Sequence, residues 1–315
     1  MSDPKLNTEK QAVDQISTGY FKHFPLSYFP SIYVTDAKPQ ITLPLDQLNL
    51  YSEYNWNQFN DDFNQLTLKY NSSVKCLYFI RHAVGFHNEM EERVGTEQWE
   101  RVIAKTDQFF DANLTERGKM ATRSLRDKIS LAMEQGLKID MIVTSPLSRA
   151  IQTAEIALES LFKSNTIPVY SHEYLRETMG IHTCDKRRTK SELELLYPHI
   201  NFDGLISEED TLWNANERET DDSRLERATE FLQWLWKFVD AKHIAIFGHS
   251  GILQSCTIAL GAIEGGLLSN DRGLGFKLGN CEFISVVARQ YNSNQDDLTD
   301  NISLIKCKEI KDIKQ

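Results

Sequence analysis

Two short apolar runs constrain this chain more than anything else in it, because each delivers a histidine at its end. Leu77-Tyr78-Phe79-Ile80 runs into Arg81-His82-Ala83, and Ile244-Ala245-Ile246-Phe247 runs into Gly248-His249-Ser250-Gly251. Such uninterrupted apolar stretches, rich in β-branched and aromatic residues, read as strands buried on both faces of a parallel sheet. In a sheet of that kind, ligands bind beyond the C-terminal ends of the strands. Both histidines therefore arrive where a ligand would be handled, one with an arginine beside it and the other between glycines that permit close backbone approach.

The rest of the chain keeps the same rhythm. Strands are expected at 74–80, 141–144, 243–247 and 283–288. Thr115 caps a helix, with Glu116 in its first turn favouring the dipole. Ser145-Pro146 reads as a cap followed by a first-turn proline, opening a helix through Ile151 and Ile156. An amphipathic helix spans 224–239 and another 251–260. Strand and helix in alternation predict an α/β fold, a three-layer α/β/α sandwich around a mostly parallel sheet. Residues 1–72 carry many aromatics without a clear period (Tyr20, Phe21, Phe24, Tyr28, Phe29, Tyr33, Trp56, Phe59) and read as an ordered arm on the main domain. Residues 73–315 form that domain, with a polar insertion at about 171–222.

A net charge of −10 argues against nonspecific nucleic-acid binding, and no apolar stretch approaches a membrane span. The five cysteines, Cys76, Cys184, Cys256, Cys281 and Cys307, are scattered and odd in number, the usage of a reducing compartment: the cytoplasm, with the nucleus as a second option. Oligomeric state is left open. An acidic chain that binds an anion must make its site basic locally. Arg149 offers one such charge at a helix start, where free N–H groups already favour anions. Glu177, in Leu175-Arg176-Glu177-Thr178-Met179-Gly180, reads as a proton donor or a solvated loop carboxylate. Lys186-Arg187-Arg188 reads equally as a substrate clamp or a solvated face.

Taken together, these segments resemble the histidine phosphatase superfamily, in its phosphoglycerate-mutase-like branch. Arg81-His82-Ala83 matches the hallmark Arg-His-Gly with alanine for glycine. Asn88 takes the place of the downstream asparagine, and Leu114-Thr115-Glu116-Arg117-Gly118 the Leu-Thr-x-x-Gly helix start. Ser145 to Ala154 gives Ser-Pro-Leu-x-Arg-Ala-x-Gln-Thr-Ala in full, and Gly248 to Gly251 the Gly-His-Ser-Gly block. Leu175 to Arg187 resembles, in particular, the fungal and plant phosphomutase-like proteins.

The resemblance implies a metal-independent phosphomonoester hydrolase with no cofactor, acting on a small phosphorylated substrate. His82 would be the nucleophile and would hold the phosphoryl group on nitrogen. Arg81, Arg149 and His249 would surround its oxygens, and Asn88 would add a hydrogen bond. Glu177 would protonate the leaving group. Arg187 and Arg188 would bind substrate, and a mildly acidic optimum would suit Glu177. Family mutases carry an acidic residue and Ser after Arg-His-Gly, where this chain has Ala83-Val84-Gly85, so phosphoryl transfer back to substrate is the alternative. A weak or inactive member acting as an interaction protein is a third. His82 and His87 do not share a helix or strand face, which disfavours a metal pair.

Overall fold

The structure is a computed structural model that describes residues 21–23, 55–70, 74–260 and 277–290. Its strands are β1 (Phe21–His23), β2 (Val74–Arg81), β3 (Met141–Thr144), β4 (Val169–His172), β5 (Asn201–Gly204), β6 (His243–Gly248) and β7 (Phe283–Gln290). The helices are α1 (Trp56–Tyr70), α2 (Phe86–Val94), α3 (Thr96–Arg101), α4 (Glu116–Glu134), α5 (Ser148–Ala157), α6 (Glu159–Ser164), α7 (Lys190–Leu196), α8 (Asp221–Phe238) and α9 (Ser250–Ala259). They form one sheet in the order β1-β7-β2-β6-β3-β4-β5. From β2 to β5 every pairing is parallel, while β7 runs antiparallel to both β2 and β1.

Alternation along the central strands makes two cores. Cys76, Tyr78 and Ile80 of β2, with Ala245 and Phe247 of β6, face α1, α4 and α5 through Trp56, Phe59, Phe63, Leu125, Ile129 and Ala154. Leu77, Phe79, Ile244 and Ile246 face α8 and α9 through Phe231, Leu232, Leu235, Ile252 and Leu253. This is the expected three-layer α/β/α sandwich. The period of two puts successive side chains on opposite faces, so a strand apolar throughout needs both covers. Trp56, Phe59 and Phe63 of α1 are buried in the first of these cores, and β1 pairs with β7. Tyr20, Phe24, Tyr28, Phe29 and Tyr33 lie outside the described residues, as does Cys307. The other four cysteines are free thiols. Among the described residues no helix is long and apolar enough to cross a membrane.

One expected boundary is wrong. The helix after β3 begins at Ser148, not at Ser145-Pro146. Ser145 stays outside the helix: its N–H donates to the Phe247 carbonyl at 2.9 Å and its hydroxyl turns towards His249. The cap comes instead from distant Asp111, whose carboxylate accepts from the Ser148 N–H at 2.7 Å and from the Ser148 hydroxyl. A tertiary partner has displaced the local one. Strand β5, which no alternation in the sequence announces, closes the sheet edge within the insertion.

Candidate active site

Strands β2, β3 and β6 stop side by side, and their ends bring the sequence-predicted residues together. His82 follows β2 and His249 follows β6; their rings lie 4.9 Å apart, centroid to centroid. His82 is 2% exposed, and its Nδ1 lies 2.6 Å from the Ala83 carbonyl. A carbonyl only accepts, so Nδ1 carries the proton and Nε2 presents its lone pair. Burial, with the charges of Arg149 and Arg81 adding to it, holds the His82 pKa well below the usual imidazole range. The neutral nucleophilic form is thus the resting one.

The backbone around His82 is pinned. Its N–H donates to the Gly248 carbonyl at 3.0 Å, while its own carbonyl accepts from Asn280 Nδ2 at 3.0 Å. Ala83 is buried and is absent from the residues of positive φ, and its N–H donates to Thr153 Oγ1 at 3.1 Å. The extra Cβ therefore fits without strain. Gly118, at the start of α4, is a close-approach position: a Cβ there would lie 2.2 Å from the Val84 carbonyl oxygen. That helix is docked against the turn carrying His82, with Thr115 capping it through the Gly118 N–H at 3.1 Å.

Arg81 donates from Nη1 to the Leu278 carbonyl at 2.9 Å and has a buried Nε with no protein partner. Arg149, 1% exposed, sits in the first turn of α5. It donates to the Cys184 carbonyl and to Asp185 Oδ1, the latter at 2.8 Å, and its Nε has no partner. His249 is fully buried, with Nε2 at 2.8 Å from Ser145 Oγ and Nδ1 unpartnered. Burial and then Arg149 depress its pKa and that of His87, whose ring lies 5.7 Å from that of His82. Unsatisfied donors clustered in a buried, positively charged recess fit an oxyanion.

Glu177 reaches the same recess from the insertion. Its carboxylate accepts from the Gly251 N–H at 3.1 and 3.2 Å and from the Thr178 N–H at 2.9 Å. A Cβ on residue 251 would lie 2.5 Å from Glu177 Oε1, so any other residue there would push the carboxylate out of this position. Arg227 of α8 fixes the segment by donating to the carbonyls of Tyr174, Arg176 and Glu177. Asn88 uses its carboxamide oxygen to accept from the Gly85 N–H at 3.0 Å, which ties its side chain to the start of α2.

For Arg187 alone in the basic cluster, the expected substrate contact is overturned. Arg187 is 2% exposed and every donor is occupied by protein. Nε meets both Glu173 oxygens, Nη1 the Arg188 and Glu208 carbonyls, and Nη2 the Ser207 and Glu209 carbonyls. It holds the insertion together and has nothing left for substrate. Arg188 pairs through Nε with Asp111 at 3.0 Å and stays partly exposed. Sequence reasoning missed Ser145, Asp185, Arg218, Arg227 and Asn280, whose partners lie far along the chain. His182, Cys184 and Asp185 offer atoms within 4.8 Å of one another, the spacing of a metal site. Asp185 already pairs with the Arg149 and Arg218 guanidiniums, and burial keeps the Cys184 thiol protonated, so the set is ill-suited to a cation.

A buried ring of arginines and neutral histidines at parallel strand ends defines a protein that handles phosphoryl groups. Residues 77–294 match the model of the histidine phosphatase superfamily (branch 1), and the chain belongs to that family. Phosphoglycerate mutase-like protein 1 of Arabidopsis thaliana is 36% identical over 208 residues, 57% of this chain and 69% of the relative. Phosphomutase-like protein 3 of Candida albicans is 27% identical over 231 residues, 70% of each chain. The structure of an ecdysone phosphate phosphatase from Bombix mori aligns with TM-score 0.44 and 17% identity, covering 67% of this chain and 88% of that one. The function class is that of phosphatases and phosphomutases.

Proposed function

We propose that this protein hydrolyses small phosphomonoesters through a phosphohistidine at His82, with no metal required. The observation that carries the reading is the 2.6 Å contact between His82 Nδ1 and the Ala83 carbonyl: a carbonyl only accepts, so Nδ1 donates and Nε2 is left as the attacking atom. Nε2 attacks phosphorus in line, a P–N bond forms and the ester P–O bond breaks. Arg81, Arg149 and His249 meet the charge on the equatorial oxygens, where positioning does most of the catalysis. Asn88 adds its amide. Glu177 gives its proton to the departing oxygen, then takes one from the water that attacks the phosphohistidine. That water cleaves the P–N bond, releasing inorganic phosphate and restoring His82.

Hydrolysis is preferred to transfer back to substrate because Val84 and Gly85 follow Ala83, where family mutases carry an acidic residue and Ser. The test is acid-quenched mass spectrometry after mixing with an aryl phosphate in the presence of chelator. The expected result is a transient, acid-labile phosphoryl group on the His82 peptide and free phosphate. His82→Ala should lower turnover by at least about a thousandfold. Full activity in His82→Ala overturns the mechanism, and phosphoryl transfer to added alcohols in place of phosphate release turns the hydrolase into a mutase.

A further inference from the structure

Arg187, the arginine that the sequence offers to a second anion, is fully occupied; Arg218 is not. Arg218 Nη1 donates to the Gly180 carbonyl at 2.7 Å and to Asp185 Oδ2 at 2.9 Å. Its Nε and Nη2 have no protein acceptor among the described residues, and the side chain is 30% exposed. The other oxygen of the same carboxylate, Asp185 Oδ1, accepts from Arg149 Nη2 at 2.8 Å. One buried carboxylate thus joins the arginine beside His82 to an arginine that solvent reaches. The gap between the two guanidiniums is fixed at the width of one carboxylate with a hydrogen bond on either side.

The charge state and the placement are both stable. Burial works against the Arg218 cation, but Asp185 and then Glu177 outweigh it and raise its pKa. Asp185 in turn is held below its usual range: burial opposes ionisation, and Arg218, Arg149 and His182 overcome it. The loop bearing Arg218 is stitched to the one bearing Gly180 by backbone: Ile181 N–H to the Asn214 carbonyl at 2.8 Å, and Glu219 N–H to the Met179 carbonyl at 2.9 Å. Trp213 Nε1 donates to the His182 carbonyl at 3.0 Å. Nearby carboxylates do not compete for the free donors. Glu219 is taken by Arg227 at 2.6 Å, and Glu177 by Gly251 and Thr178. A guanidinium held in place with two donor nitrogens open is preorganised for a planar or tetrahedral anion.

We propose that Arg218 is a specificity residue that receives a second anionic group, carboxylate or phosphate, on the alcohol part of the substrate. This rests on the phosphohistidine reading and deepens it, naming the substrate class as phosphomonoesters of acidic alcohols. The test compares 4-carboxyphenyl phosphate with its neutral isostere 4-carbamoylphenyl phosphate, and adds 1,4-phenylene bisphosphate, in wild type and Arg218→Gln. The intrinsic difference between leaving groups cancels when the ratio of kcat/KM values is compared between proteins. The wild-type ratio of charged to neutral ester should exceed that of Arg218→Gln about tenfold, the worth of one charge-assisted hydrogen bond. Preference for the carboxylate or the bisphosphate identifies which anion is read.

An unchanged ratio, with both esters slowed equally, makes Arg218 a structural prop of Asp185 and overturns the proposal. Arg218→Lys, which keeps the charge but loses the fork, should give an intermediate ratio and serves if the glutamine variant does not fold. Binding separates this proposal from the mechanism it rests on. Dissociation constants of the charged and neutral esters, measured by calorimetry on His82→Ala with and without Arg218→Gln, need no turnover. Tighter binding of the charged ester that vanishes with Arg218→Gln sustains the proposal even if phospho-His82 fails. Equal binding of the two esters by His82→Ala overturns it.

Discussion

At His249 a single hydroxyl decides which ring nitrogen can face a phosphoryl oxygen. Nδ1 has no protein partner, and Nε2 has only Ser145 Oγ, at 2.8 Å. For Nδ1 to donate to an oxyanion it must carry the proton, so Nε2 must accept from the serine hydroxyl. Ser145→Ala removes that constraint while leaving the charge around His82 intact. The expected outcome is a fall in kcat of about tenfold or more with KM changed less, and a stability loss of only about 1 kcal/mol. Steady-state kinetics beside thermal melts check this; a loss of stability with kcat untouched would make Ser145 purely structural. Arg81, His82 and His249 were legible because a buried run fixes where a strand ends, and the end fixes the side chain that follows. Ser145 was misread because Ser-Pro imitates a helix start, and only the fold reveals that its N–H and hydroxyl have other partners. Asp185 was silent for the same reason: its arginines lie 36 and 33 residues away.

Elements α4, α5, α8 and α9 follow from apolar period, a local signal, whereas the insertion is built from contacts with no period to read. Its centre is a buried lattice: Glu173 between Arg176 and Arg187, and Asp210 gripping Arg176 at 2.6 and 2.7 Å. Arg187 and Glu173 are each almost fully buried. Breaking such a pair strands the remaining charge, which costs far more than a surface ion pair contributes. Arg187→Met should therefore lower the free energy of unfolding by on the order of 3 kcal/mol. Its KM per folded molecule should stay within about twofold, since no donor of Arg187 reaches substrate. Denaturant titration and kinetics on the same preparation decide the matter. A large rise in KM at undiminished stability would return Arg187 to the substrate. A run such as Lys186-Arg187-Arg188 looks alike in sequence whether it faces water, ligand or core, and burial alone tells these apart.

Over the whole molecule, the same burial that keeps the site's imidazoles neutral ties folding to pH. His82, His87 and His249 all have pKa values pushed well below 6.5, by burial first and by Arg149 next. His172, packed against Phe231 and Trp234, is lowered by burial to about 4. The unfolded chain titrates these groups near 6.5, so below that pH it binds protons that the folded chain refuses. Stability must then fall with acidity, by about 1.4 kcal/mol per pH unit for each group. For His172 the decline levels off only near pH 4. Asp185 and Asp140, whose pKa values are lowered, lose their stabilising contribution only at still lower pH, so they do not offset the loss. A mildly acidic optimum is therefore opposed by the fold. Melting temperature should drop steeply from pH 7 to 5, and His172→Gln should flatten that slope by about one proton's worth while leaving the values above pH 7 nearly parallel. Inorganic phosphate, binding only the folded site, should raise the melting temperature, and more at pH 5.5 than at 7.5, because an anion beside His82 and His249 eases their protonation. Melts independent of pH across this window would mean that these histidines are not neutral in the fold, and the resting state drawn for the nucleophile would go with them.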